Sequence, residues 1–360
     1  MFRILTQEEI TVLESRGCRC DDWSNVQVAE GFDPARVTNV EFSGDIRIGS
    51  LAGRFVRPGG LVRRSEITNA TLHNVAVGND VYIRNIADYI ANYDIADGAY
   101  IENVDSIVGT LDSTFGIGTE VSVLNETGGR EVPVYERLSA QTAYLIAMYR
   151  NRREMVERLV TLIKVHAASL YGKRGQIGRN TLVINAGTIT NVNVGDFALI
   201  KGATRLADGT ISASESDPVV VGRDVIAEGF VFASGSCVDD GAVIHHCFIG
   251  QATKLTHLFS AHDSLFFANC ACENGEAAAI FGGPYTVTMH KSSLLIAGMF
   301  SFLNAGSGSN QSNHMYKLGP IHQGVVERGS KTTSDSYILW PAKIGAFSLV
   351  MGRHVNHPDT

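Results

Sequence analysis

The feature that most constrains the fold is an apolar residue that recurs every six positions. Counting in steps of six from Val77 gives six apolar residues in succession. At 44% hydrophobic content, chance would give such a run in roughly 0.7% of chosen registers. A period of six fits neither a helix nor simple strand alternation, but it does fit a short strand followed by a corner. The run consists of Val77, Ile83, Tyr89, Ile95, Ile101 and Ile107.

The same step returns in the second half of the chain, where an aliphatic residue is often followed by glycine. Corners fall at Gly, Asn and Asp, which tolerate positive φ, as in Gly78-Asn79-Asp80 and Asp97-Gly98. The dipeptides are Ile177-Gly178, Val194-Gly195, Val221-Gly222, Ile249-Gly250 and Ile344-Gly345.

These dipeptides resemble the hexapeptide signature of the left-handed parallel β-helix superfamily, whose members are mostly acyltransferases and sugar-nucleotide enzymes that often form trimers. The second half also resembles an uncharacterised bacterial family of hexapeptide-repeat proteins, through His262-Asp263-Ser264-Leu265-Phe266, the block 304–324 and Leu339-Trp340-Pro341-Ala342-Lys343. The resemblance implies an all-β repeat fold, a left-handed parallel β-helix.

One interval interrupts the repeat. Between 133 and 171 the apolar residues recur at helical spacing, which predicts one long helix or a helix pair. We therefore expect four parts. They are an N-terminal helix and cap (1–36), a first β-helix section (37–130), a helical insertion (131–175) and a second β-helix section (176–360) with a polar loop at 304–323.

Composition and charge exclude several classes of protein. A net charge of −7 without a long basic run argues against nucleic acid as a partner. No segment reaches the roughly 18 apolar residues of a membrane span, and the N-terminal residues turn acidic before a signal-peptide core develops, so we expect a cytoplasmic protein with no membrane partner. The six cysteines lack zinc-site spacing and are expected to be reduced, structural thiols.

The polar loop 304–323 is the segment best suited to a site, because it is far longer than a corner requires and is rich in Gly, Ser, Asn and His. His314 and His322 are the candidate catalytic bases, and a structural role for either is equally open. His262 and His290 are secondary candidates, and no metal is predicted. The candidate substrate-binding residues are Asn310, Gln311, Asn313, Lys317 and Gln323.

The resemblance implies acyl or acetyl transfer to a sugar phosphate or nucleotide sugar, with acyl-CoA or acetyl-CoA as co-substrate. In that reading Lys317 offsets phosphate charge. Two alternatives stay open, a noncatalytic carbohydrate-binding or scaffold protein and the β-helix part of a sugar nucleotidyltransferase. We expect a homo-oligomer, with the trimer as the form that the resemblance favours.

Overall fold

The chain forms one large sheet that surrounds a long apolar core. A computed structural model describes residues 2–311 and 323–354. Within these ranges the structure is mostly β, with 27 strands joined in one sheet whose core is a parallel barrel. Apart from the antiparallel contact of Phe2–Ile4 with Val26–Ala29, the strands of this sheet pair in parallel.

Most strands pair with the strand two places further along the chain. Ile226 lies beside Val243, and Val243 lies beside Ser260, so the chain returns to the same ladder at an equal interval there. In the intervening residues it passes through other faces of the sheet. The aliphatic positions that face inward therefore stack along the core.

The strands in the first 133 residues, apart from two hairpins, are Phe2–Ile4, Arg19–Cys20, Val26–Ala29, Val37–Ser43, Ile46–Ile48, Glu66–Val77, Tyr82–Ile86, Ile90–Ile95 and Tyr100–Val108. The strands after the helices are Gly175–Ile177, Leu182–Val194, Leu199–Lys201, Arg205–Ile211, Val220–Val221, Ile226–Phe232, Cys237–Val238, Val243–Ile249, Lys254–Thr256, Ser260–Phe266, Ala271–Glu273, Glu276–Ala278, Phe281–Gly282, Val287–Thr288, Leu294–Ile296, Gly298–Phe300, Gly324–Val326, Lys331–Thr332, Tyr337–Ile338, Ala342–Ile344, Leu349–Val350 and Arg353–His354.

Asparagine side chains tie successive corners together along one edge. The amide nitrogen of each asparagine donates to the amide oxygen of the next, at 3.0–3.1 Å. All five residues have φ between 52° and 54°, a conformation that asparagine tolerates better than most residues. The asparagine ladder consists of Asn39, Asn69, Asn85, Asn103 and Asn185.

The helices are α1 (Gln7–Ser15), α2 (Ala140–Met148) and α3 (Arg153–Ala168). Helix α1 begins with a capping box, in which Thr6 and Glu9 satisfy each other's backbone N–H groups. The spacing between 133 and 171 thus corresponds to a helix pair rather than one long helix. None of the helices in the described ranges has the length and hydropathy needed to cross a membrane.

Two antiparallel hairpins project from the sheet. One joins Arg54–Val56 to Val62–Arg64, and the other joins Glu120–Ser122 to Glu131–Pro133. The second hairpin packs with α2 and α3 around a separate apolar core. The second hairpin, α2 and α3 therefore form one layer that packs against the sheet.

The structure confirms the coarser part of the predicted fold, a mostly β chain with a large parallel sheet, and corrects the hexapeptide-repeat assignment. The interval between paired residues is not constant, as a strict hexapeptide repeat would require. Ile200 pairs with Val221, whereas the step from Cys272 to its partner Thr288 is shorter. Loops of different length at the corners absorb the difference, so the apolar columns persist without a regular hexapeptide.

Candidate functional site

One face of the sheet is apolar on its outside as well as its inside. We call it the helix-facing ladder, the parallel run of strand segments Phe230–Phe232, Cys247–Ile249, Ser264–Phe266, Phe281–Gly282, Gly298–Phe300 and Gly324–Val326. Along these strands the flanking residues point into the main core, while the middle residues point outward. The outward column is Val231, Phe248, Leu265, Phe281, Met299 and Val325.

The helical layer covers only part of this outward column. Val231, Phe248, Leu265 and Phe281 are buried in the second core, beneath residues of α2, α3 and the hairpin, and Met299 packs at its margin. The column thus runs on beyond the edge of the layer. A groove forms at that edge because α2 stands over the sheet without closing against the next strands.

This α2 groove has a volume of about 680 Å³. Tyr144 and Tyr149 line it on the helix side, and Phe281, Met299 and Val326 line it on the sheet side. The Tyr144 ring meets Phe281 edge-on, with centroids 6.4 Å apart, and both tyrosines keep a large exposed surface. Such a size and such an aromatic lining are typical of small-molecule sites.

A column of exposed aromatic side chains follows the rim of the α2 groove. Tyr285 and Phe302 come directly after Pro284 and Ser301, two residues of the groove wall. Their rings stack with centroids 4.9 Å apart. Both residues have positive φ, 58° and 47°, which is uncommon for bulky side chains and marks a conformation that the surrounding corner must hold.

Two charged residues, Glu327 and Arg328, line the groove. Glu327 forms an ion pair with Lys343 at 3.3 Å. Arg328 forms no ion pair with a carboxylate in the described part of the chain, and its guanidinium lies 5.6 Å from the centre of the Phe347 ring. An arginine held over an aromatic ring and left without a carboxylate can bind an anion, since its fork of N–H donors matches phosphate oxygens.

A second groove of about 450 Å³ begins at the N-terminus of α2 and shares Gln141 and Pro284 with the first. Ser139 caps the helix, and its hydroxyl accepts from the backbone N–H of Thr142 at 3.1 Å. Arg137 lies in the wall. The two grooves therefore adjoin around the start of α2, and each has an arginine in its wall, Arg328 in the first and Arg137 in the second.

The polar loop 304–323 joins the sheet beside the α2 groove. The chain leaves the ladders after Asn310, which bridges to Leu294 and Tyr337, and re-enters at Gly324, whose strand pairs with Gly298–Phe300 in the groove wall. Gln311 is completely buried, and its side-chain amide has no hydrogen-bond partner among the described residues. Gln323 is half-buried. The candidates Asn313, His314, Lys317 and His322 lie outside the described residues.

The secondary candidates lie elsewhere. His262 is exposed beside Asp263, with Nδ1 and the carboxylate 3.7 Å apart, and this neighbouring carboxylate raises the pKa of the imidazole. Its ladder neighbour is His245. His290 is exposed at a bend that follows Val287–Thr288. The structure does not bring His262 or His290 to the α2 groove.

The described part of the chain contains no group of three His, Cys, Asp or Glu side chains arranged for a metal ion. All six cysteines are free thiols, and four of them are buried. Burial raises the pKa of Cys270 to about 11, so its thiol stays protonated at neutral pH.

Sequence reasoning missed the residues that form the α2 groove. In the sequence, Tyr144 is one of the apolar residues of the interval 133–171, and the six-residue pattern does not single out Phe281 or Met299. A signal was present, since the outward column places an apolar residue at a nearly constant interval, once per return of the ladder, from Val231 to Met299. A search for apolar residues at a period of six assigns these residues to the main core and does not distinguish the outward column.

Comparisons with known proteins replace the assignment suggested by the hexapeptide-like dipeptides. An uncharacterised protein of Treponema pallidum (strain Nichols) is 28% identical to this chain over 375 residues, which covers 99% of the chain and 51% of the relative. The chain therefore spans about half the length of the curated relative it matches. The resemblance to the hexapeptide-repeat superfamily is wrong as a family assignment, because the family model that matches, over residues 2–360, is a different one. This chain belongs to the family described as Domain of unknown function (DUF4954).

Proposed function

We propose that the chain binds a phosphorylated sugar or a nucleotide sugar in the α2 groove. The observation that carries this proposal is the groove itself, an open depression lined by exposed tyrosine rings and by Arg328, which forms no ion pair with a described carboxylate. Sugar and base rings pack against aromatic faces, and guanidinium groups bind phosphate, so the two halves of such a ligand have matching surfaces here.

The shape of the groove supports a ring-bearing ligand over a simple anion. Tyr144 and Tyr149 stand at a steep angle to each other on the helix, with centroids 6.0 Å apart, and Tyr285 and Phe302 offer a second aromatic surface at the rim. An inorganic ion would use only Arg328. A ligand that carries rings can also pack against these aromatic side chains.

The test is a thermal-shift screen followed by calorimetric titration, using hexose phosphates, nucleotide sugars, free nucleotides and free hexoses. A ligand that binds the native state must raise the melting temperature. Tyr144→Ala and Arg328→Ala should each weaken binding of the best ligand about 10-fold or more, the loss of one good contact. Tyr171→Ala and Arg205→Ala alter exposed residues outside the groove and should leave the affinity unchanged. No stabilising ligand in the screen, or binding that survives both groove variants, would overturn the proposal.

Acyl or acetyl transfer to the bound sugar, from an acyl-CoA-type donor, is the catalytic form of this proposal. It is favoured by the connection of the polar loop to the strand that forms the groove wall, since Gly324 follows the loop and its strand pairs beside Met299. His314 or His322 would be the base, and Lys317, Asn310, Asn313, Gln311 and Gln323 would orient the ligand. Loss of acetyl transfer in His314→Ala and His322→Ala with retained sugar binding would support it. Equal donor hydrolysis with and without the sugar would argue against it.

For the architecture we propose that the parallel ladders wind as a left-handed β-helix and that the chain self-associates, with a trimer as the expected form. The support is the repeated return of the chain to each ladder and the exposed apolar residues beyond the groove, such as Phe347 and Leu349. Light scattering should then give a multiple of the 38.8 kDa chain mass. A monomer at micromolar concentration would contradict self-association.

A further inference from the structure

A second surface lies on the outer side of α3, away from the sheet. This helix buries Ile163 and Ala167 against the second core. On the opposite side Leu162 and Val165 are 68% and 64% exposed, although aliphatic residues on a helix usually face a core. Leu162 and Val165 are therefore unpartnered within the described chain.

Arginines surround these exposed aliphatic residues. Leu159 and Leu162 line two adjoining depressions on α3. One of them also contains Met155, three arginines (Arg152, Arg153 and Arg158) and one acidic residue, Glu154. The other contains Arg137 and His166, and its acidic residue, Glu136, pairs with His166. We call this surface the α3 patch. It consists of Arg137, Arg152, Arg153, Met155, Arg158, Leu159, Leu162 and Val165.

The charge of the α3 patch is opposite to that of the chain. Residues 149–174 carry seven basic side chains and two acidic ones, Glu154 and Glu157, whereas the whole chain has a net charge of −7. Two of the seven are neutralised within the fold, since Lys164 pairs with Glu120 and Arg174 with Asp94. Arg152, Arg153 and Arg158 form no ion pair with another described residue.

We propose that the α3 patch binds reversibly to the surface of an anionic lipid bilayer. A helix with exposed aliphatic residues on one side and arginines beside them can insert its apolar side chains at the headgroup boundary while the guanidinium groups meet lipid phosphates. Tyr171 lies three residues beyond the C-terminal end of α3 and is 59% exposed. Tyrosine is enriched at that depth of a membrane interface.

The other occupants fit the same surface less well. Nucleic acid would match the arginines but would leave Leu162 and Val165 against water or phosphate. A second copy of the chain would need far more than this single stripe, because stable interfaces use about 20–30 residues a side. The expectation of no membrane partner rested on spanning segments, and a surface-lying helix requires none.

Vesicle co-sedimentation with the full chain tests the proposal. The chain should partition onto vesicles that contain phosphatidylglycerol but not onto pure phosphatidylcholine, and high salt should weaken the binding. The double variant Leu162→Glu, Val165→Glu should lower the partition coefficient at least 10-fold. Arg152→Glu and Arg158→Glu should each lower it several-fold. Circular dichroism and melting temperature should stay as in the unaltered chain, because all of these side chains are exposed.

Matched controls change the same residue types elsewhere. Leu258→Glu alters an aliphatic side chain that is 76% exposed at a corner of the sheet, and Lys201→Glu reverses an exposed strand charge. Both should bind vesicles like the unaltered chain. The proposal is overturned if the unaltered chain does not bind anionic vesicles, or if the controls lose as much binding as the α3 variants. It is also overturned if light scattering shows that the α3 variants only dissociate an oligomer.

Discussion

Two buried threonines, two residues apart, differ in whether their hydroxyl has a partner. Thr286 Oγ1 donates to the carbonyl oxygen of Gly283 at 2.8 Å. Thr288 occupies an inward column below Leu255 and Cys272, and its hydroxyl has no partner in the described chain. An unpaired hydroxyl in an apolar column lowers stability relative to a methyl group of the same shape.

Thr288→Val should therefore raise the free energy of unfolding by about 1 kcal/mol, while Thr286→Val, which breaks a hydrogen bond, should lower it by about the same amount. Urea denaturation of both variants measures the two changes. Equal destabilisation by both substitutions would mean that Thr288 has a partner in solution.

Glu9 gives the N-terminal cap a defined response to acid. Its carboxylate accepts two hydrogen bonds from Arg3, at 2.6 and 2.8 Å, and one from the backbone N–H of Thr6. These contacts lower its pKa to about 2 from an ordinary 4.5. A lowered pKa contributes stability above the ordinary value, and this contribution disappears as the pH falls toward 2.

Glu9→Gln should accordingly lower the free energy of unfolding at neutral pH and converge with the unaltered chain as the pH approaches 2. Urea denaturation across this pH range shows the convergence. Glu8, exposed in the same turn, provides the matched control, and Glu8→Gln should show little difference at any pH. A constant gap between Glu9→Gln and the unaltered chain would contradict the role of ionisation.

At the scale of elements, the six-residue pattern predicted the core column well but not its irregularities. Ile83, Ile95 and Ile101 are buried as expected, whereas Tyr89 is exposed. The corner spans 87–89, so the neighbouring Ile90 turns inward instead. Periodicity records which residues can face a core, and it does not record how many residues each corner uses.

The α2 groove could not be predicted in the same way, because it arises between elements distant in sequence. Tyr144 and Phe281 meet only because the helical layer folds back onto strands from a much later part of the chain. The polar loop is the complementary case. Its composition predicted a site from the sequence. Asn310 and Gln311 lie where the chain leaves the ladders, and Gln323 lies directly before Gly324, where the chain rejoins the groove wall.

The asparagine ladder offers a test of an element formed from side chains alone. Asn103 accepts from Asn85 and donates to Asn185, with φ at 54°. Asn103→Ala removes both hydrogen bonds and places a less tolerant residue at positive φ, so it should lower the free energy of unfolding by about 2–3 kcal/mol.

Asn103→Gly separates the two effects, because glycine adopts positive φ freely but cannot hydrogen-bond through a side chain. It should be destabilising by less than Asn103→Ala. Both variants can be compared by chemical denaturation. If glycine and alanine cost the same, the hydrogen bonds carry the effect and backbone conformation adds nothing.

At the scale of the whole molecule, the local stability of a strand depends on its position in the array of ladders. Each strand contacts chiefly its ladder neighbours, so a strand inside the array is held on both sides and a strand near the start on one. Val243–Ile249 pairs with strands on both sides. Arg19–Cys20 pairs with Val37–Ser43 on one side. Such an array can open from its weaker end before the interior unfolds.

Buried thiols make this order measurable, because Cys18 lies beside Arg19–Cys20 and Cys247 lies within Val243–Ile249. Both are buried, and burial raises the pKa of both thiols, so neither reacts readily in the folded chain. Pulses of a thiol reagent at increasing urea, followed by peptide mass spectrometry, should modify Cys18 at a lower urea concentration than Cys247. The half-buried Cys20 and Cys237 give the reference for labelling of the native chain. If Cys18 and Cys247 share one midpoint, the ladders unfold as a single cooperative unit and the end of the array is as stable as its interior.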